Sequence, residues 1–561
     1  MKSYQTWFGE GPELSVLRML GLFDRPADEK ALGALLKPPA IRGLTEALTD
    51  LSAAERHTIL AKLRRARLLT GEDPHNPGHL DAHPLVREYF GEQLRSQRTE
   101  AWKESNGRLY RYYRAIAPQL PNNFSEMEPL LLAVICGCNA GFFREALHEV
   151  YIPRIQRGDS SFAANVLGAR GALLLVLAHF FEHRRWDSFI ETAVEGQSLN
   201  GEDQLFILMQ AGLYLTATRG LGAPEARICY ERAEPLCDSL RRPELLHVAL
   251  VGQWRYSLNT GKLSGAMQIA KRIYSLCREQ NNSALIVGAF RGFAATHYFL
   301  GDFETSHQYS TRALQIWRSG GIKSPIEDAI APAVSCLCYH ALSEWHFGKV
   351  ASCRAGIAEA FSLAKELNDI HALGQVLWFA GFVGHFERNR DDVERLASEL
   401  IELSTRQSFA FWLVGGEVHR GWARSAAGDT AEGMSWIEEG IRDYRATGSV
   451  LHLPYLLALK AEALHLAGRT FEAIEAIREA QGLIERYEQR WWWAELRRLH
   501  GVFLTAIGAS ETQIEASFCE AIRIAKEQKS VSLAKRAEAT YAEYRRQKAT
   551  GSAGRGLVLP L

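Results

Sequence analysis

From about residue 140 to the C-terminus, apolar residues return at three- and four-residue steps. The apolar runs break at Gly141, Arg184, Gly222, Gly261, Gly301, Gly348, Asn389, Gly428, Gly468 and Gly508, roughly every 40 residues. Such a period reads as helix, short turn, helix, repeated. The unit around Gly468 shows the physics. Leu456, Leu459, Ala463 and Leu466 share one helical face, and Gly468 follows where a helix ends at positive φ. Phe471, Ile474, Ile477 and Leu483 line one side of the next helix, with Ala473 and Ala480 small enough for close helix approach. One hairpin cannot bury such a face alone, whereas stacked hairpins can, which predicts an α-solenoid. Alternating Val/Ile/Thr runs bounded by Asn-Gly or Asp-Gly are absent from this region, so it predicts no strands.

The first hundred residues do not follow the period. Glu13–Leu22 reads as a short helix, and Asp28 caps a second that Pro38-Pro39 stops. Ser52 and Glu55 form a capping box for a third, with Ile59, Leu60 and Leu63 apolar. Leu68 and Leu69 run into the turn-forming GEDPHNPGH, Leu80 returns, and Pro84 opens a helix with Leu85, Val86, Tyr89, Phe90 and Leu94 on its apolar side. Three helices, a small hairpin and a helix predict a winged-helix domain. The expected fold is all-α: a winged helix over 1–100, a helical connector and first repeat over 101–160, and the array over 161–547. The array is a right-handed solenoid of about ten tetratricopeptide-like hairpins, and 548–561 form a Gly/Ser-rich flexible tail.

Composition narrows the function. The 561 residues carry 65 Lys+Arg against 65 Asp+Glu and are 47% hydrophobic, which excludes disordered and collagen-like chains and a chain-wide polyanion binder. No apolar run is long enough to span a membrane, and MKSYQTWFGEGPEL has no apolar signal core, so the expectation is a cytoplasmic protein without a membrane partner. The nine cysteines are scattered. Cys136/Cys138 and Cys336/Cys338 stand two apart, on opposite sides of a helix, and read as small buried hydrophobes.

The unit GRTFEAIEAIREA resembles a tetratricopeptide repeat with longer helices; HEAT-like pairs have a similar period and are the structural alternative. MKSYQTWFGEGPELSVLRMLGLFDRPA and LDAHPLVREYFGEQL resemble the winged-helix segment of bacterial STAND-type (NACHT/NB-ARC-like) signalling ATPases. PLLLAVICGCNAGFFREAL and RWWWAELRRLHGVFLTAIG resemble segments further along those chains. The resemblance implies a non-enzymatic sensor and interaction module for bacterial signal transduction, with antiviral defence as the family's habit. A protein trigger would bind on the concave face of the repeats, beside an ATPase core supplied in cis or in trans. It also implies that His83, in DAHPLVREYF, contacts the phosphate of ADP held by that core; Pro84 departs from the acidic residue of eukaryotic versions. The bare-residue alternative is that His83 caps its own helix. ADP or ATP would belong to the full assembly, because no G-x-x-x-x-G-K-[ST] is present, and Gly9 and Gly11 precede Pro12 without a lysine. The chain is therefore expected not to be an enzyme, and it needs no cofactor alone.

Other candidates are weaker. Arg56, Lys62, Arg64, Arg65 and Arg67 on the third helix keep a transcription regulator as the alternative, with a DNA-reading winged helix and an effector-binding array. Residues 1–115 hold only 18 basic against 15 acidic side chains, so nucleic acid is a disfavoured partner. His179 and His183 stand four apart on an expected helix, but no third ligand accompanies them and no metal site is assigned. Trp491, Trp492 and Trp493 point in different directions on one helix. At least one faces the core, and one left exposed would be a protein-binding anchor.

Overall fold

The structure, a computed structural model, describes residues 6–72, 75, 78–279, 282–320 and 331–550. GEDPHNPGH lies partly outside those residues, as does all but the start of the 548–561 tail. The chain divides into two compact units, Met1–Gln204 and Leu205–Leu561. Among the described residues no regular strand occurs, and the fold is all-helical. No helix is long and apolar enough to cross a membrane.

The first unit contains α1 (Pro12–Leu20), α2 (Glu29–Leu36), α3 (Glu46–Thr49), α4 (Ala53–Arg65), α5 (Pro84–Gln97), α6 (Thr99–Ile116) and α7 (Phe124–Ala140). The starts follow local chemistry. Asp28 accepts from Ala31 N at 2.8 Å, and Ser52 with Glu55 forms a reciprocal capping box. Leu14, Leu17, Leu63, Phe90 and Leu94 make the core. Leu85 departs from the expected apolar side of α5: it is 65% exposed, because Val86, Phe90 and Leu94 set the buried face one position round. In place of a hairpin ladder between α4 and α5, Thr70 N donates to Asp81 O at 2.9 Å and Leu80 pairs with Ala27 across a single bridge.

The expected repeat turning at Arg184 is absent. After α8 (Arg170–Leu177) the chain makes two short 3-10 turns and then runs without helix to residue 200. His183 and Arg184 both sit at positive φ, and Phe181 stacks on Phe189 at 4.4 Å. Downstream polar groups return to the turn after α7: Thr192 Oγ1 donates to Gly141 O, and Gln197 Oε1 accepts from Glu145 N. These aromatic and polar contacts replace a second helix.

The second unit is the array: α9 (Gly201–Arg219), α10 (Pro224–Ser239), α11 (Pro243–Asn259), α12 (Leu263–Glu279), α13 (Ser283–Leu300), α14 (Phe303–Gly320), α15 (Pro332–His346), α16 (Val350–Glu366), α17 (Ile370–Phe386), α18 (Arg390–Gln407), α19 (Ala410–Ala426), α20 (Thr430–Ala446), α21 (Leu453–Leu466), α22 (Thr470–Tyr487), α23 (Trp493–Ala506), α24 (Glu511–Glu527) and α25 (Val531–Ala549). Odd-numbered helices face inward and even-numbered helices outward, in antiparallel hairpins closed by α25. Gly468 sits at φ 75° in the turn between α21 and α22, as the sequence predicts.

Candidate functional site

The array closes on itself. Val450 N and Leu451 N both donate to Asn259 O, at 2.8 and 3.2 Å, and Arg490 N donates to Phe299 O at 2.8 Å. Gln528 Nε2 reaches Arg490 O at 2.7 Å, and His346 Nδ1 lies 2.8 Å from Ser530 Oγ. Gly222 meets Gly448 so closely that a Cβ on Gly222 would stand 2.6 Å from a backbone carbon. Gly222 with Gly448, Gly261 with Tyr487 and Gly301 with Gln528 are equally far apart in sequence to within one residue. The turns that end early inner helices therefore rest on those that begin inner helices one superhelical turn later.

Among the described residues, closure packs large side chains along the axis, where the repeat pattern leads one to expect an open concave groove. Nearly every residue of α17 is buried. Trp491 comes before α23, in the turn, and is fully buried among Tyr298, Phe299, Phe382 and Tyr455, with ring centroids 5.4–5.9 Å away. Trp492 is also fully buried and stacks on Phe386 at 4.6 Å; Trp493 opens α23 half-buried. The three tryptophans thus do not share one helix, because Trp491 and Trp492 form its entry turn. A small space of about 40 Å³, roomy enough for water, lies on the axis among Trp254, Asn259, Phe299, Ser335, Gln375 and His452.

Below this lies a buried charge network absent from the sequence reading. Arg388, in the turn after α17, pairs with Glu462 of α21 and, at 3.2 Å, with Glu495 of α23. Arg498 grips Glu495 at 2.8 and 2.9 Å, and Arg536 of α25 approaches it at 3.3 Å. Trp422 Nε1 donates to Glu462 at 3.0 Å, and His385 lies 3.5 Å from it. Burial raises the proton affinity of both carboxyls, but the arginines outweigh it: Glu495 is held down at about 2 and Glu462 well below the usual carboxylate range. Burial also pushes His385 down to about 4 and His419 and His452 to about 3. The available signal was a single Glu on each of two largely apolar inner helices, in LLALKAEALHL and WWWAEL.

The outside of the closure carries a groove of about 580 Å³, lined by Arg219, Pro224 and Glu225 on one side and by Leu413, Glu417, Asp443 and Thr447 on the other. Burial, then repulsion from Asp443 and Glu439, lifts Glu417 to about 7. In the first unit, His83 is exposed and its Nδ1 accepts from Leu85 N at 3.3 Å, capping α5. A cleft of about 490 Å³ beside α5 is lined by Arg25, Pro84, Arg87, Arg95, His179 and Arg184, among others. Lys62 and Arg64 of α4 are engaged by Glu13 and Glu72, at 2.6 and 2.7 Å. His179 ends its helical run bonded to Leu175 O and His183 lies in the following turn, so the two do not share a helix face. Cys136, Cys138, Cys336 and Cys338 are buried and unpaired, and burial pushes the Cys136 and Cys336 thiols up to about 12.

No family model matches the sequence. An uncharacterized protein of Rhizobium meliloti is 26% identical over 200 residues, 35% of this chain. That match spans only 19% of the relative's length. A Rap protein complexed with competence and sporulation factor is 11% identical, covering 63% of this chain and 99% of its own, with TM-score 0.42. A Pyrococcus horikoshii signal-transduction ATPase with numerous domains (STAND) and a tetratricopeptide repeat sensor is 15% identical, covering 90% of this chain and 66% of its own, with TM-score 0.33. What the chain's own geometry establishes is an all-helical protein whose second unit is an array of packed helical hairpins resembling tetratricopeptide repeats.

Proposed function

We propose that this chain is a non-enzymatic sensor and protein-interaction module of a STAND-type signalling ATPase. The observation that carries the reading is the closed array. Its inner surface is spent on holding two superhelical turns together, and the groove over Glu417 is lined from both sides of that closure. A partner seated there touches both sides at once, so its binding energy acts directly on closure. Glu417 and Asp443, with Pro224 and Leu413 beside them and Glu225 already paired with Arg219, suit a protein segment carrying an apolar side chain and a single basic one. The first unit serves the nucleotide end. With His83 Nδ1 engaged as a cap, Nε2 is left as a donor toward a phosphate.

The test supplies the ATPase core, on the same chain or as a partner, and measures ADP retention without trigger. His83→Ala should release ADP several-fold faster. Gly448→Val, which wedges the closure apart, should mimic the trigger and do the same. Retention unchanged in both variants, with His83→Ala merely less stable, would overturn the reading and leave His83 as a helix cap alone.

A further inference from the structure

On the outer flank of the array, away from the axis, His307 on the first turns of α14 meets His340 and Glu344 near the end of α15. His340 and Glu344 are four apart and share a helix face, while antiparallel packing of the hairpin brings His307 against both. One ligand atom from each lies within 4.8 Å of the others. His307 Nε2 stands 2.7 Å from Glu344 Oε1, and the two imidazoles overlap with centroids 4.4 Å apart. His307 Nε2 is buried and makes no directed hydrogen bond among the described residues, despite that short approach. Two half-buried imidazoles and a buried carboxylate thus converge in one cluster, with potential ligand atoms facing one another.

We propose that His307, His340 and Glu344 bind a divalent transition metal of the zinc class, with water completing the coordination. Two imidazole nitrogens and one carboxylate oxygen form a borderline donor set that suits Zn²⁺ and Co²⁺ over Mg²⁺ or Ca²⁺. Zinc bonds of about 2.0–2.2 Å put ligand atoms roughly 3.3–3.5 Å apart, somewhat closer than the 4.8 Å limit within which they now lie.

Lys349 supplies a positive charge to Glu344 that a metal would replace. Its Nζ lies 3.0 Å from Glu344 Oε1, with Lys349 58% exposed and Glu344 only 5%. A flexible, exposed ammonium leaves easily when a metal arrives, and it competes with the metal until then.

The full chain, stripped with chelator, is titrated with Co²⁺, read by its visible d–d absorption, and then with Zn²⁺ to displace it. The expected result is one saturable Co²⁺ per chain, displaced by Zn²⁺. His340→Ala and Glu344→Gln should each weaken uptake at least tenfold, whereas His57→Ala, on exposed α4, should not. Lys349→Met should tighten uptake, because it removes the competing charge without touching a ligand. Zn²⁺ should raise the melting temperature of the wild type and not of His340→Ala. No saturable uptake by the wild type, uptake by His340→Ala equal to wild type, or Lys349→Met without effect would each overturn the site.

Discussion

Glu462→Gln tests the charge network most directly. The amide keeps the volume and can still accept from Trp422 Nε1, so the change isolates one negative charge. Arg388, with its side chain 8% exposed, then has only Glu495 at 3.2 Å, an acid already shared with Arg498 and Arg536. Three guanidinium groups would face one carboxylate inside the array. Removing one partner of a buried pair costs roughly 3–5 kcal/mol, because the charge left behind has lost both water and counterion. Urea unfolding followed by tryptophan fluorescence reads this well, since Trp422 and Trp492 flank the network. Hydrogen exchange should show the loss concentrated in α17, α21 and α23. The companion variant Arg388→Met should also destabilise. The double variant Arg388→Met/Glu462→Gln should recover at least about 1 kcal/mol relative to the sum of the singles, because neither charge is then stranded. A single variant within about 1 kcal/mol of wild type, or strictly additive singles, would show that the network is solvated and that closure does not depend on it.

Acid should loosen the array earlier than it protonates carboxylates. His385 at about 4, and His419 and His452 at about 3, are neutral when folded, but each takes a proton near 6.5 when unfolded. The unfolded chain binds more protons across that window, so the histidine contribution is complete above about pH 7 and is lost as pH falls from 6.5. The loss reaches about 2 kcal/mol per histidine at pH 5. Urea midpoints that stay flat between pH 7.5 and 5 would contradict this, and His419→Gln should shallow the slope. Glu495, held at about 2, adds a separate loss that begins only below its unfolded value near 4.3 and runs down through pH 2. Gly468→Val should cost about 1–3 kcal/mol from φ alone, since a Cβ there meets nothing within 4 Å; unchanged melting would place the strain elsewhere.

The hairpins were legible because their signals are local. A face such as Leu456, Leu459 and Ala463 and a turn such as Gly468 need only their own neighbours to be read. The exception at 160–200 follows the same logic in reverse. Leu-rich α8 keeps the helical period, but Phe181, Trp186 and Phe189 satisfy their burial by stacking on one another without a second helix. The candidate site was not legible because it is built from pairs one superhelical turn apart. Trp491 on Tyr298, Arg388 on Glu462 and Asn259 on Val450 leave no periodic trace. The three tryptophans were read as one helix because their apolar run continues into α23. The chain spends the first two on an entry turn instead, where both reach the axis.

Closure changes how the array responds to force and ligand. In an open solenoid each hairpin contacts only its neighbours, and a local defect stays local. Here the turn after α9 rests on the turn before α21, that after α11 on the turn before α23, and that after α13 on the turn before α25. Tyr298, Phe382, Tyr455 and Trp491 come from four different hairpins and form one aromatic cluster. Opening any of these contacts exposes part of that cluster and pulls Arg388 from its acids, so the contacts break together more readily than singly. A ligand straddling the closure therefore needs only a modest preference for one state, because the same free-energy difference is felt along the whole line of turns. That is the physical sense in which a closed helical array can act as a switch.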